Sequence, residues 1–479
     1  KQYNSVPRMF KFTSMPFLYF APYSTNICSD GIITIDDKKS CRMVQLDFEY
    51  DYSNKLPIKK CKVGETVDKI AYHEDANVFL VSTISTENYN LLDEEGEDTI
   101  DHNRYLKKPA QNYRGAIKLL SPGNLTVIDT LDLDENEVCT ALNVSNLRIN
   151  GTEGKRAQIF VGTGIYQNED VATMGAYKYL DIINVVPEPG FPEAKHKLKL
   201  LSTETYKGPI LDVCEVDGRF AVIQGQRMLV RQLKGESNST PVAFVDTSLF
   251  SSKVKAFENF ILIGDSYQSV SLHGFEAEPY RMVSLGKDEH NMKLNECEFI
   301  VHNQSMFILA SDDNRVLHIL QYDPYDVNSL KGHKLLRRTA LRTNSYTTKM
   351  LRKDRREACF SMVNTLPIRK DVDLGFEVIG CNIDGSIYKV SPINEYQYRR
   401  LYSLQNQIAD KEAHWLGLNA KMNAVGDLQD EMNVIKRPII EYRLLTRFSS
   451  MAEDKKKMFA IKLGKDALVD VYRDMISLQ

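Results

Sequence analysis

A short aromatic-led phrase recurs seven times along the chain and constrains its fold more than any other feature. Each copy starts with an aromatic or aliphatic residue and continues as a compact apolar run. The seven copies begin at Phe17, Phe79, Ile159, Phe220, Phe260, Phe307 and Phe376. The copies at Phe220, Phe260 and Phe307 are 40 and 47 residues apart, which is the length of a four-stranded propeller blade. The pattern predicts a mainly β fold, a seven-bladed β-propeller.

The runs themselves indicate antiparallel strands that are covered on both faces. Four or five consecutive apolar residues, in place of a long strict alternation, are typical of such inner strands. The pairs Asp217-Gly218 and Asp384-Gly385 predict tight hairpins of type I′, since both central residues of that turn need positive φ. An antiparallel β-sandwich is the alternative fold, but seven copies at blade spacing are hard to place in a single sandwich.

The periodicity changes after residue 391, which predicts two domains. Residues 1–391 form the propeller, with polar insertions expected near 88–112, 165–196 and 342–373. The first insertion is acidic, the second is rich in Pro and is expected to leave its blade as a hairpin, and the third is basic. In residues 392–479, apolar residues fall at helical spacing, as at Leu401, Leu404 and Ile408, which predicts a small C-terminal α-helical domain.

Composition narrows the class of protein. The 61 Lys and Arg residues nearly balance the 64 Asp and Glu residues, with a formal charge of −3, so any nucleic-acid contact must be a local patch. The eight cysteines are scattered without a CxxC pair, which indicates buried free thiols in a reducing compartment. No window approaches the roughly 18 apolar residues of a membrane span. We expect a soluble intracellular protein that does not contact membranes, and Lys as first residue is consistent with a piece of a longer chain.

Motifs that carry catalysis are missing from the sequence. It contains no GxxxxGK[ST] phosphate loop, no GxSxG elbow and no HExxH zinc motif. We therefore predict no catalytic residue, no metal site and no cofactor. The competing hypothesis is a propeller hydrolase or lyase in which Asp265, Asp312 and Asp384, at comparable points of their repeats, face a central channel. An Asp directly after a strand more often hydrogen-bonds the backbone of the turn.

A basic stretch follows the sixth copy of the phrase. Ten Lys and Arg residues between Lys331 and Arg356 are accompanied by one acid, Asp354. Such a run is a solvated loop, a surface for nucleic-acid phosphates or a surface for a protein partner. The candidate RNA-binding residues are Arg337, Arg338, Arg342, Lys349, Arg352, Lys353, Arg355 and Arg356. The single tryptophan, Trp415, packs a loop against the helical core or anchors a partner.

Several segments resemble one known family. They are Tyr179 to Gly190, Phe244 to Leu249, Glu258 to Asp265, Leu335 to Arg338 and Tyr398 to Asn406. Together they are similar to the C-terminal part of the largest subunit of the cleavage and polyadenylation specificity factor, in its fungal form, from about Phe17 to the end. The wider family includes the large subunit of the damaged-DNA-binding complex and a splicing-factor subunit. The hexamer from Val185 to Gly190 favours the polyadenylation subunit among them.

The resemblance implies a non-catalytic scaffold of three propellers and a helical domain, of which this chain holds the third propeller and the helices. Such a subunit acts in the nucleus in pre-mRNA cleavage and polyadenylation. It grips a WD-repeat subunit and a CCCH zinc-finger subunit, and these partners read the polyadenylation signal of the pre-mRNA. The endonuclease and poly(A) polymerase are separate polypeptides. We expect partner contacts at Tyr398, Arg399, Arg400 and Trp415. The alternative is a propeller adaptor of a DNA-repair ubiquitin ligase or of a splicing complex.

Overall fold

The computed structural model divides by its internal contacts into two units, Lys1–Thr66 and Val67–Gln479. The residues that it describes are 17–24, 31–36, 39–45, 60–88, 111–148, 155–166, 172–187, 194–235, 238–302, 305–343, 345–354, 375–411, 439–461, 463 and 467–478. The first unit contains sheet 1, an antiparallel sheet of three described strands in consecutive order. These strands are β1 (Phe17–Tyr23), β2 (Gly31–Asp36) and β3 (Cys41–Gln45).

Five four-stranded antiparallel sheets follow, each built from strands that are consecutive in the chain. Sheet 2 comprises β4 (Thr66–His73), β5 (Val78–Asn88), β6 (Gln111–Leu120) and β7 (Val127–Glu135). Sheet 3 comprises β8 (Glu137–Arg148), β9 (Lys155–Ile165), β10 (Met174–Asn184) and β11 (His196–Lys207). Sheet 4 comprises β12 (Ile210–Val216), β13 (Arg219–Gln224), β14 (Arg227–Lys234) and β15 (Asn238–Asp246).

The remaining sheets have the same consecutive order. Sheet 5 comprises β16 (Ser251–Phe257), β17 (Phe260–Asp265), β18 (Ser269–Ala277) and β19 (Tyr280–Lys287). Sheet 6 comprises β20 (Leu294–His302), β21 (Ser305–Asp312), β22 (Val316–Tyr322) and β23 (Leu336–Arg342), with a 3-10 turn at Val327–Ser329. Sheet 7 has three described strands, β24 (Thr347–Asp354), β25 (Phe376–Asn382) and β26 (Ile387–Val390).

Each of the seven aromatic-led phrases lies in a different sheet. The first is in β1, and the other six are in the second described strand of sheets 2 to 7. The predicted fold class is confirmed: the chain is mainly β, with seven antiparallel, propeller-like sheets followed by C-terminal helices.

The apolar runs are continuous because alternate side chains bury against opposite neighbours. On β17, Ile261 and Ile263 pack with side chains of sheet 4, whereas Leu262 between them packs with side chains of sheet 6. A strand turns successive side chains to opposite faces, so a strand between two neighbouring sheets needs apolar residues at every position. Each such fully buried side chain contributes roughly 1.5–3 kcal/mol through the hydrophobic effect.

The two Asp-Gly turns differ. Asp217 and Gly218 both have positive φ, 46° and 70°, and join Val216 directly to Arg219, as a two-residue hairpin requires. At the second turn only Gly385 has positive φ, and the ladder resumes at Cys381 and Ile387, so the loop is longer than predicted. The prediction of a type I′ turn there was wrong, because the Asp384 carboxylate accepts hydrogen bonds from the Ser386 N–H and hydroxyl and holds a wider turn.

The predicted insertions fall partly within the sheets. Of the first, residues 89–110 lie outside the described part of the chain, and Asn88 pairs with Gln111 at its base. The second contains β10, which pairs with β9 from Met174 to Leu180 and with β11 along its whole length. The run from Ala176 to Leu180 is buried. The third contains β24, and residues 355–374 lie outside the described part.

Four helices end the described chain: α1 (Glu395–Lys411), α2 (Tyr442–Ser450), α3 (Glu453–Ile461) and α4 (Ala467–Ser477). The apolar stripe of α1, at Leu401, Leu404 and Ile408, packs into one core with side chains of the other three helices. Within the described ranges, none of the helices combines the length and the apolar character needed to span a membrane.

Candidate interaction surfaces

Two of the predicted RNA-binding arginines bridge elements of the fold. The Arg337 guanidinium on β23 donates to both carboxylate oxygens of Asp288, at 3.3 and 2.7 Å, and Asp288 is almost fully buried just after β19. Arg338 donates to Asp326 at 3.1 Å and to Gln321 at 2.6 Å. Charge-assisted bonds of this kind position both groups, so these cations connect sheet 6 to sheet 5 and to its own β22–β23 loop.

Arg352 is held in a similar way. Its guanidinium lies 4.9 Å from the ring centroid of Phe257 and 5.4 Å from that of Phe376. It donates to the carbonyl oxygen of Ala256 at 3.3 Å and lies 3.7 Å from a carboxylate oxygen of Glu298. The cation–π contacts and the nearby carboxylate thus engage the Arg352 guanidinium within the protein.

Lys349 belongs to a network of charges on the first strands of sheets 5, 6 and 7. Glu296 on β20 is fully buried and lies 3.3 Å from Lys253 Nζ and 3.2 Å from Lys255 Nζ, both on β16. Burial opposes the charge on Glu296, but Lys255 and Lys253 lower the pKa of its carboxyl. For Lys349, desolvation and then the like charge of Lys255 lower the pKa of the ammonium group. The network therefore spans the first strands of three sheets, and of its members Lys349 is exposed.

Three of the eight predicted residues are exposed, namely Arg342 at the end of β23 and Lys349 and Lys353 on β24. Arg355 and Arg356 lie outside the described residues. The structure therefore separates the predicted set into arginines that are engaged within the fold and three exposed residues, of which Lys349 also belongs to the network around Glu296. Basic charge in the sequence alone does not distinguish the two groups.

The predicted partner-binding residues of the helices also differ in whether they are exposed or connect helices. Tyr398 stacks on Tyr402 with ring centroids 5.5 Å apart, and Arg399 is exposed beside Glu395 at 3.0 Å. Arg400 lies 2.6 Å from Asp470 and 3.0 Å from Asp474 and so fastens α1 to α4. Trp415 lies outside the described residues.

The three aspartates proposed as catalytic carboxylates hydrogen-bond to their turns. Asp265 accepts five hydrogen bonds, from the N–H groups of Leu249, Phe250, Tyr267 and Gln268 and from the Ser251 hydroxyl. Asp312 accepts from the Val316 N–H at 2.7 Å and lies 3.1 Å from the His318 ring, and Asp384 holds the turn described above. These contacts agree with the turn interpretation of an Asp after a strand.

Buried free thiols were also predicted from sequence. Cys139, Cys214 and Cys297 are buried, as expected, whereas Cys41 and Cys61 are exposed. Burial raises the pKa of the Cys139 thiol to about 12, so it stays protonated and unreactive. In the part of the chain that the structure describes, no group of three or more His, Cys, Asp and Glu side chains is placed to hold a metal ion.

Sequence reasoning missed a polar cleft at the boundary of sheets 4 and 5, which we call the serine cleft. It has a volume of about 140 Å³. Its walls are Asp246, Thr247, Ser248, Ser251, Ile263, Asp265, Gln268, Ser269, Val270, Ser271, His273, Ser284 and Lys287. A signal was present in the sequence: Ser269, Ser271 and His273 alternate along β18 and therefore share one face of the strand.

Comparison with known proteins identifies the family. The family model described as CPSF A subunit region matches residues 114–450, from β6 to the end of α2. The chain belongs to the CPSF A subunit family. The match covers the described sheets from 3 to 7, so the repeated sheets and the first helices are the family's own region.

Relatives named Protein CFT1 match along the whole chain of this family member. The protein from Debaryomyces hansenii is 38% identical over 488 residues, covering 99% of this chain and 35% of the relative. Those from Candida albicans and Saccharomyces cerevisiae are 36% and 35% identical, each covering 100% of this chain and 36% and 35% of the relative. The chain thus spans about a third of the length of the curated relatives it matches.

Proposed function

We propose that this chain is part of a non-catalytic scaffold subunit of the nuclear machinery that cleaves and polyadenylates pre-mRNA. Its role is to hold a WD-repeat subunit and a CCCH zinc-finger subunit, which read the polyadenylation signal. The observation that carries the proposal is the similarity to Protein CFT1 along the whole chain. Poly(A) polymerase and the endonuclease reach the RNA as separate subunits of the assembly.

An ordered apolar loop between β22 and β23 supports a role in binding proteins. Tyr325, Val327 and Leu330 expose large apolar side chains there. Asp326 fixes the loop, because its carboxylate accepts from the Asn328 N–H at 3.0 Å and from Arg338 at 3.1 Å. Apolar side chains presented on a preorganised turn lose little conformational entropy when a partner covers them.

Co-purification with the partner subunits tests the scaffold role. The full-length protein would be expressed with the WD-repeat and zinc-finger subunits, as wild type or with Val327→Asp and Tyr325→Ala. We expect the double variant to retain at least about tenfold less partner, the loss typical of a hot spot. Val186→Asp is the matched control, because Val186 is 91% exposed and Val327 is 90% exposed.

Two results would contradict the proposal. If the wild type recovers neither subunit but recovers a ubiquitin-ligase cullin or splicing proteins, the chain serves one of those complexes. If Val186→Asp lowers retention as much as the double variant, the loop has no specific role in binding the partners.

We propose auxiliary RNA contact at Arg342 and Lys353, the two exposed residues of the predicted set that do not belong to the network around Glu296. Changing both to Glu should lower the RNA affinity of the assembled complex and reduce the slope of log affinity against log salt by about 0.7 for each lost phosphate contact. The charge-matched control is the pair Lys199→Glu and Lys234→Glu, which are exposed on sheets 3 and 4. An unchanged slope in the Arg342 and Lys353 variant would reject this contact.

A further inference from the structure

The serine cleft contains two carboxylates, which already have partners, and one lysine. Asp265 accepts the five hydrogen bonds given above. Asp246 lies 3.1 Å from Arg227, and Lys287 donates to the amide oxygen of Gln268 at 2.9 Å. A cationic ligand would find both carboxylates already engaged, and an anionic ligand would face these two carboxylates against the single ammonium group of Lys287, so an ion of either sign would lose water at a cost.

Two polar atoms of the cleft lack a hydrogen-bond partner within the described structure. His273 is buried, with 7% of its surface exposed to solvent, and its Nε2 lies 3.1 Å from the Ser271 hydroxyl. Its other ring nitrogen, Nδ1, and the hydroxyl of Thr247 are buried without a partner. A buried polar atom left unsatisfied costs about 1–3 kcal/mol. The cleft is thus prepared to receive hydrogen-bonding groups from outside.

His273 is an uncharged member of this site. Burial lowers the pKa of its imidazole to about 4, so the ring is neutral near pH 7 and presents one donor and one acceptor nitrogen. The unpartnered hydroxyl of Thr247 also donates and accepts. These groups match a neutral ligand that carries both a donor and an acceptor.

Two exposed apolar residues flank the cleft in sequence, and we call them its rim residues. Leu249 follows the cleft residue Ser248 and Tyr267 precedes the cleft residue Gln268, and they are 57% and 55% exposed. The carboxylate of Asp265 fixes both: Oδ2 accepts from the Leu249 N–H at 3.1 Å and Oδ1 from the Tyr267 N–H at 2.9 Å. One buried side chain therefore sets the position of both rim residues before any ligand arrives. Such preorganisation favours docking of a chain segment that covers them.

We propose that the serine cleft is a docking site for a segment of a partner protein that inserts an Asn or Gln side chain between apolar neighbours. The carboxamide is neutral and carries two N–H donors and an acceptor oxygen, so it can satisfy both the imidazole and the hydroxyl. The cleft volume, about 140 Å³, far exceeds the roughly 10–15 Å³ that a single water needs. The apolar neighbours of the inserted residue cover Leu249 and Tyr267. The site would serve any complex that contains this chain.

Selection from a random peptide display library tests the site with the full-length protein as bait. We expect enriched peptides to share one Asn or Gln flanked by apolar residues. Changing that residue to Asp in a selected peptide should weaken binding at least about tenfold, since a carboxylate has no N–H to donate and meets the carboxylates of Asp246 and Asp265 in the walls of the cleft. Enrichment of a central acidic or basic residue would overturn the proposal.

Variants of the protein test whether the selected peptide binds at the cleft. Leu249→Asp on the rim and His273→Leu inside should each weaken the selected peptide at least about tenfold. Leu330→Asp is the matched control, because Leu330 is 61% exposed, near the 57% of Leu249, and lies outside the cleft. Circular dichroism checks that each variant is folded, and Leu249→Asp alters only an exposed side chain. Equal losses for all three variants, no peptide sensitive to Leu249→Asp, or displacement of the peptide by single-stranded RNA would overturn the proposal.

Discussion

Arg231 makes several contacts between two sheets, and its removal tests how sheets 3 and 4 are joined. Its side chain is 5% exposed on β14, and it reaches β11, where it lies 3.1 Å from Glu204 and donates to the Tyr206 hydroxyl at 2.8 Å. It also lies over the rings of Tyr177 and Tyr206, at 5.3 and 5.1 Å from their centroids. The substitution Arg231→Met keeps an unbranched apolar side chain and removes the guanidinium group with its charge.

The expected cost follows from the burial of the pair. Breaking a buried ion pair by removing one partner costs about 3–5 kcal/mol. Glu204 keeps 20% of its side-chain surface exposed, so water compensates part of the loss, and we expect about 3 kcal/mol. This corresponds to local opening of β11, β14 and β15 that is roughly 100-fold more frequent. The double variant with Glu204→Gln should recover part of the loss, since no carboxylate is then left unpaired.

Hydrogen–deuterium exchange of the full-length protein measures this opening peptide by peptide. The control is Arg227→Met on the same strand, where the pair with Asp246 is 66% and 70% exposed. Exposed pairs contribute about 0–1 kcal/mol, so this variant should leave exchange nearly unchanged. If Arg231→Met accelerates exchange no more than Arg227→Met does, the argument from burial is refuted.

Three further predictions concern the serine cleft and the contacts between sheets. The pKa of His273 is about 4 in the folded state and 6.5 in the unfolded state, so its contribution to stability is complete above pH 6.5 and is lost as the pH falls to about 4. Between pH 7 and pH 5, urea unfolding should show that the wild type loses about 2 kcal/mol more stability than His273→Leu. Equal losses would contradict this. A Cβ at Gly286 would lie 2.5 Å from the carbonyl oxygen of Gly332, so Gly286→Ala should lower the free energy of unfolding in urea by about 1–3 kcal/mol. The control Gly123→Ala, whose Cβ meets nothing closer than 4.0 Å, should lower it little. Similar losses would show that the backbone at Gly286 moves to accept the Cβ. Asp265→Ala should accelerate amide exchange at residues 247–250 and 266–268 by at least about tenfold, and protection as in wild type would show that other contacts hold the rim.

The repeated sheets could be predicted because their signal is local and is written seven times. The run from Phe260 to Ile263 must be apolar at each position when both faces are buried, and the structure buries Ile261, Leu262 and Ile263. The hairpin at Asp217-Gly218 is equally local, since two residues determine the turn. At Asp384-Gly385 the same dipeptide failed as a predictor, because the Asp384 side chain bonded to Ser386 and changed the loop.

The interaction surfaces were less predictable because they depend on contacts between residues far apart in sequence. The basic stretch contains Arg337 and Arg352 beside Arg342, and nothing local marks the first two as partners of Asp288 and Glu298. The serine cleft is likewise assembled from separate segments. Only the alternation along β18 pointed to it, and alternation of polar residues is also what an exposed strand face shows.

The charges on the first strands of sheets 5 and 6 favour the correct order of the sheets. Lys253 and Lys255 on β16 meet Glu296 on β20, and Lys255 lies 3.7 Å from Glu298 on the same strand. In a chain of seven similar repeats the characteristic error during folding is association of the wrong neighbours. A sheet that offered lysines to lysines would bury repelling charges, so the pairing rejects incorrect orders as well as stabilising the correct one. This charge cluster thus helps to determine which sheets associate while the polypeptide folds.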